Sequence, residues 1–196
     1  MNLRPLPRRF YRRDSLELAP DLIGRLLVRE AGGVRMVGRI VEAEAYRPDD
    51  PASHSFRGPT PRNASMFGGP GRAYVYVSYG MHHCMNVTTG GGAAVLLRAL
   101  EPVAGVEEMA RRRGVADGRL LCAGPGRLCQ ALGISLADDG TDLVAKGGTW
   151  IAEGSPADEV AAATRVGLTV AVEQPWRFLD ARSRFVSRRA TPSSRR

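Results

Sequence analysis

The sequence predicts an α+β fold, a single compact domain with a curved, mostly antiparallel sheet flanked by short helices. Three observations predict it. Strand-like runs lie next to one another along the chain, at 34–46 and then at 73–79, 80–89 and 93–100. Helical stretches are inserted between groups of strands and do not alternate with them. At 196 residues the chain is long enough for one core, so residues 1–196 are expected to form one domain.

Taken in order, residues 1–13 read as a basic arm, of which 1–8 are expected to be flexible, as are 189–196, "RATPSSRR". A short helix is expected around 15–24, with Ser15 or Asp21 near its start, and then a strand, "RLLVRE", at 25–30. "AGG" turns the chain into a strand over 34–46. Residues 47–72 are rich in Pro, Gly, Asp, Ser and Asn and form a loop long enough to be functional. "AYVYVSY" is a strand, "GMHHCMNVTT" turns into a second, and "GGG" leads to a third, "AAVLLRAL". Pro102 opens a helix that Gly114 stops, and "AGPGRLCQALGI" is a glycine-rich turn feeding a short helix. The remainder, 136–186, reads as short strands and turns that include "TRVGLTVAVE".

The formal charge of +8 points to a nucleic-acid partner. Lys146 is the only lysine, so 27 of the 28 basic residues are arginines, whose planar forks suit phosphate oxygens. Genomic composition bias explains the skew equally well. An amine nucleophile would have to be Lys146 or the N-terminus. No apolar run reaches the ~18 residues of a membrane span, and the basic N-terminus leads into no apolar signal core. Three cysteines without a C-x-x-C pair fit buried thiols in a reduced, cytoplasmic protein.

"RIVEAEAYRPDDPASHS", residues 39–55, places Glu42, Glu44 and Tyr46 two apart on a strand. Alternate residues share a face, so both carboxylates and the ring point one way, while Val37, Val41, Ala43 and Ala45 point into the core. Two acids on one face fit a glycosidase pair or an exposed face, but nearly 7 Å along one strand favours one acid acting alone. Tyr74 and Tyr76 share a second strand face, where core packing and a platform for nucleobases both fit. Tyr79, at a strand tip, has the geometry of a wedge. His82, His83 and Cys84 with His54 invite a zinc reading, but adjacent histidines point to opposite faces and no second ligand pair has metal spacing. "GPGRLC" resembles a phosphate cradle without the full P-loop pattern.

These segments resemble the alkyladenine (3-methyladenine) DNA glycosylase family. The resemblance rests on "FYRRDSLELAPDLIGRLLVR", "VEAEAYRPDDPASHS", "TPRNASMF", "PGRAYVYVSYGMHHCMNV", "AVLLRALEP", "GPGRLCQALGI", "TRVGL" and "PWRF", over residues 9–187. It implies a monofunctional, cofactor- and metal-free, monomeric enzyme acting on double-stranded DNA with damaged purines at the nucleoid. Such an enzyme flips the purine out and hydrolyses its N-glycosidic bond, leaving an abasic site. The resemblance makes Glu44 the base that activates water, with Arg98 and the Val166 carbonyl holding that water. Tyr46 and Tyr76 would sandwich the purine, His54 would meet its rim and Asn86 its minor-groove edge. Met66 and Met85 would lie near the pocket, Tyr79 would be the wedge, and Arg62 and Arg127 would meet the DNA backbone. Arg127 stands where the family often has lysine. Glu44 is therefore expected to face a concavity framed by Tyr46, His54 and Tyr76, with Glu42 structural or solvated. A noncatalytic nucleic-acid-binding module and a carbohydrate glycosidase using Glu42 and Glu44 are the competing readings.

Overall fold

A computed structural model describes residues 3–189. Helices α1 (Arg8–Tyr11) and α2 (Ser15–Leu22) precede strands β1 (Leu26–Ala31) and β2 (Val34–Tyr46). Strands β3 (Ala73–Ser78), β4 (His82–Gly90) and β5 (Ala93–Ala104) follow the long loop. Then come α3 (Val106–Arg113), α4 (Gly118–Leu121) and α5 (Pro125–Leu132), and β6 (Thr149–Ala152), β7 (Val160–Ala163) and β8 (Arg177–Asp180). The strands form one curled antiparallel sheet in the order β3-β4-β5-β2-β1-β6, with β8 pairing both β2 and β7. The α+β expectation holds. No helix among the described residues is long and apolar enough to cross a membrane.

Local chemistry explains most boundaries. Asp14 caps α2 by accepting from the Leu16 N–H at 2.8 Å; Ser15 is the first helical residue and Asp21 lies near the end of the helix. Gly114 stops α3 in the left-handed conformation, φ 66°, as expected of a terminating glycine. The start of α3 is later than the sequence predicted. Pro102 lies inside β5, where the ladder with β2 shifts register between Val37 and Gly38 and a missing N–H is tolerated. The turn falls at Gly105, φ 68°, where a Cβ would come within 2.6 Å of the Arg35 carbonyl.

The basic arm has partners in the sheet over its described part. Residues 3–8 are tied to β6: the Leu6 N–H donates to the Ile151 carbonyl at 2.8 Å, and Trp150 Nε1 donates to the Leu3 carbonyl at 2.8 Å. Leu6 and Trp150 are both buried, and that apolar burial offsets the entropy of fixing the arm. The tail expected to be flexible falls outside the described residues from 190 onward.

The main core lies on one face of the sheet. Ala43, Ala45, Met85, Val87, Val95 and Leu97 meet Leu18 and Leu22 of α2 and Leu128 and Leu132 of α5. All three cysteines are free and buried. The alternation of β2 slips once. Met36 and Ile40 belong to this core, and so do Ala43 and Ala45, although the two pairs differ in parity. Val37 belongs to a separate cluster with Trp150, and Val41 to neither, so these two do not share the alanines' core as predicted. The cause is a pair of register shifts flanking Glu42, between Ile40 and Glu42 and between Glu42 and Ala43. A bulge changes which face the next side chains occupy.

Candidate active site

Beyond the bulge, the face opposite the helices carries the polar residues. Register places Glu44 beside Leu96, Leu96 beside Asn86, and Asn86 beside Tyr74, a row across four strands. Partners in register share a face, so residues distant in sequence converge here. Arg98 has no register partner on β2, because Ala99 pairs with Glu42 and Leu97 with Ala43. Bulged out of the ladder, it reaches both acids: Nε lies 3.1 Å from Glu42 Oε1, and NH1 3.3 Å from Glu44 Oε1.

The two acids have different partners. Glu42 is fully buried and accepts from Arg177 NH1 (3.0 Å), the Ser187 N–H (2.5 Å) and the Ser187 hydroxyl (2.9 Å). Glu42 is thus structural, and the solvated alternative falls. Glu44, also fully buried, accepts from the Val166 N–H (2.8 Å, Oε1) and the Tyr46 hydroxyl (2.8 Å, Oε2). Val166 thus meets Glu44 through its amide N–H, a contact separate from the one to water that the resemblance implies for its carbonyl. Burial raises the Glu44 pKa above its ordinary value of 4.5, and Arg98, Val166 and Tyr46 oppose that rise.

The aromatic residues form a second group. The Tyr74 and Tyr76 rings are stacked, 5.6 Å between centroids, and His54 packs edge-on to Tyr76 at 4.5 Å. His54 Nδ1 and the Tyr74 hydroxyl are 2.8 Å apart. Burial, and then the charge of Arg62, lower the His54 pKa below 6.5, so its imidazole is neutral at pH 7. Asn86 is buried and donates from Nδ2 to the Tyr74 carbonyl at 3.0 Å, leaving its second amide hydrogen for another acceptor. Met66 packs behind Tyr74 and Tyr76. Met85 lies in the main core, on the far side of the sheet. Its neighbours Cys84 and Asn86 face the site, and strand alternation turns it away, so it leaves the predicted pocket.

A cleft of about 520 Å³ is lined by His54, Arg62, Tyr74, Tyr76 and Tyr79, among others. Glu44 and Tyr46 do not line it, contrary to the expected open concavity. Tyr76 links the two groups: it lines the cleft and feels the charge of Glu44, which helps raise its pKa after burial and its contact with Cys84 and Tyr74. Tyr79 lies at the β3–β4 tip, 88% exposed at φ 50°, a conformation rare for a non-glycine residue. Beyond it a second hollow, about 430 Å³, is lined by Arg113, Arg127 and the glycine-rich turn before α5. Tyr79 thus divides an aromatic cleft from a basic hollow. Among the described residues no three His, Cys, Asp or Glu side chains form a metal-binding group.

Four residues escaped sequence reasoning. Arg177 and Ser187 hold Glu42, while Arg165, paired with Asp50, lies over the Tyr46 ring at 4.7 Å. Arg165 and Arg177 stand within "TRVGL" and "PWRF", but buried arginines are hidden among 27.

Residues 9–184 match the family described as methylpurine-DNA glycosylase. A Nitrobacter winogradskyi protein named "Putative 3-methyladenine DNA glycosylase" is 51% identical, covering 94% of this chain and 88% of that protein. Proteins of the same name from Granulibacter bethesdensis and Agrobacterium fabrum are 53% and 47% identical, covering 93% and 97% of this chain and 87% and 96% of theirs.

Proposed function

The chain belongs to the methylpurine-DNA glycosylase family and is a hydrolase of DNA N-glycosidic bonds, and from that premise we propose that it extrudes alkylated or deaminated purines and releases them by direct hydrolysis. A base within a duplex is out of reach, and extruding it costs a few kcal/mol. Tyr79, exposed at the tip, fills the vacated stack, and the arginines beyond it meet phosphates. The purine enters the cleft against Tyr76 and His54 and meets Tyr46 beyond them, once the Tyr46 bond to Glu44 opens. Alkylation makes a purine cationic, and a cation on an aromatic face gains roughly 0.5–2 kcal/mol. The remaining Asn86 hydrogen opposes an exocyclic amine, whose unpaired burial costs about 1–3 kcal/mol.

The observation that carries this reading is a buried carboxylate with fixed donors on both oxygens, set behind an aromatic cleft. As the bond breaks, positive charge builds on the deoxyribose, and ionised Glu44 stabilises it and takes a proton from the attacking water. The Tyr46 hydroxyl occupies Oε2, so that contact opens to admit the water. Lys146 is exposed in the turn before β6 and is not among the groups that meet Glu44, which supports hydrolysis in place of Schiff-base chemistry. Glu42, saturated by Arg98, Arg177 and Ser187, is unavailable as a second acid, which disfavours the carbohydrate glycosidase.

Glu44→Gln tests the reading. It keeps lesion binding and loses about 10²–10⁴-fold in release from an alkylated duplex; equal release by both proteins sinks the assignment. The acid limb of the wild-type pH profile falls above pH 4.5, because the raised carboxyl must be ionised.

A further inference from the structure

Behind Tyr46, on the ring face that Arg165 covers, lies a buried charge pair. The Arg165 guanidinium is 4.7 Å from the Tyr46 centroid and 5.0 Å from that of Trp176. It binds Asp50 through two nitrogens, the NH2 contact being 3.1 Å, and neither side chain is exposed to solvent. Its nitrogens also reach the Ala45 carbonyl at 3.1 Å and the Ala171 carbonyl at 3.4 Å. Ala171 itself is held at φ 48°, a strained turn for alanine.

This arrangement conflicts with the chemistry proposed for the ring. An aromatic face attracts a cation through its quadrupole, but a guanidinium already on one face repels a cation arriving at the other. Buried charges are weakly screened, so the repulsion would act directly across the ring. Only a counter-charge behind the guanidinium lets Tyr46 accept a cationic base. We propose that Asp50 is a specificity-determining residue: by neutralising Arg165 it allows Tyr46 to stack on cationic alkylpurines, and so sets the balance between these and neutral deaminated purines. The proposal rests on the reading that Tyr46 receives the extruded base. Asp50 acts through Arg165 and Tyr46 and is a positioning residue, touching no substrate.

The test is equilibrium binding, in a Glu44→Gln background, to duplexes carrying 7-methylguanine (cationic) or hypoxanthine (neutral). The ratio of the two affinities cancels the general effect of net charge on DNA binding. Asp50→Asn lowers the ratio of cationic to neutral binding by about tenfold, the size of one uncompensated charge nearby at intermediate dielectric. Asp50→Asn/Arg165→Met removes both charges and raises the ratio about two- to threefold above the parent, because the guanidinium is the nearer of the two. The double variant also carries the test if the single one fails to fold, since neutral replacement of a buried pair is tolerated far better than loss of one partner. A double-variant ratio equal to or below the parent overturns the proposal. So does an Asp50→Asn protein that weakens both lesions equally, the result expected if the pair merely ties down the loop carrying His54. Tyr46→Leu separates the two levels. If it abolishes lesion preference while the charge variants leave the ratio unmoved, the proposal alone fails; if it binds both lesions normally, the base-site reading fails beneath it.

Discussion

The acid face of β2 and the tip of the β3–β4 hairpin serve the same proposed reaction with opposite physics. Around Glu42 and Glu44, Arg98 and Arg177 are nearly buried, and almost every polar atom has a short, fixed partner. At the tip, Tyr79 and Met81 are 88% and 70% exposed, and Tyr79 is held in a left-handed conformation. The first region is preorganised at the cost of desolvation; the second stays exposed because its partner, the duplex, comes from outside. Disturbing the first should therefore damage the fold, whereas disturbing the second should damage only what the fold does.

The sharpest way to break that contrast is Glu42→Gln, which leaves two buried guanidiniums short of a counter-charge. It lowers unfolding free energy by about 3–5 kcal/mol in urea titration; a protein as stable as wild type would show that the network is not structural. Tyr79→Ala comes next. It slows release from duplex about ten- to a hundredfold, as the cost of flipping is no longer offset, spares single strands, and moves stability by less than ~0.5 kcal/mol. Equal losses on both substrates would remove the wedge.

A smaller effect crosses the boundary between fold and function. The Glu44 pKa is raised by folding, so its stability contribution is complete below the unfolded value and is lost as pH rises through the folded one. Glu44→Gln, which cannot ionise, therefore gains stability relative to wild type as pH rises from below about 4.5 to 7. Differential scanning calorimetry across pH would record this as a Tm difference that moves in favour of Glu44→Gln between those limits. The substitution proposed to end catalysis thus also removes a pH-dependent cost from the fold. Smallest is Tyr79→Gly, which relieves the left-handed strain and raises stability by at most about 1 kcal/mol, with the same duplex-specific loss of release as Tyr79→Ala.

Much of this was legible in the chain. Apolar residues Ile40, Val41, Ala43 and Ala45, with no turn residue among them, mark β2 to its final residue, and Gly114 marks the end of α3, because backbone geometry at these points depends chiefly on the local residues. Glu44, Tyr46 and Tyr76 fall on the site face because alternation is a property of any strand. Alternation also places Met85 in the core, although family resemblance had put it near the pocket. Val37 and Val41 missed the expected core because a bulge depends on the partner strand, and nothing between residues 34 and 46 reveals where β5 will slip.

What the sequence settled by itself, then, was the row of side chains each strand could offer, since neighbours a few residues apart fix conformation and facing. Tertiary structure alone decided which rows would meet: Glu44 with Val166 across 122 residues, Glu42 with Ser187 across 145, and Arg165 behind Tyr46 with Asp50 across 115. Those partnerships set charge, burial and access. They arise only when the sheet closes, because the free energy of a buried ion depends on everything around it and not only on its neighbours in the chain.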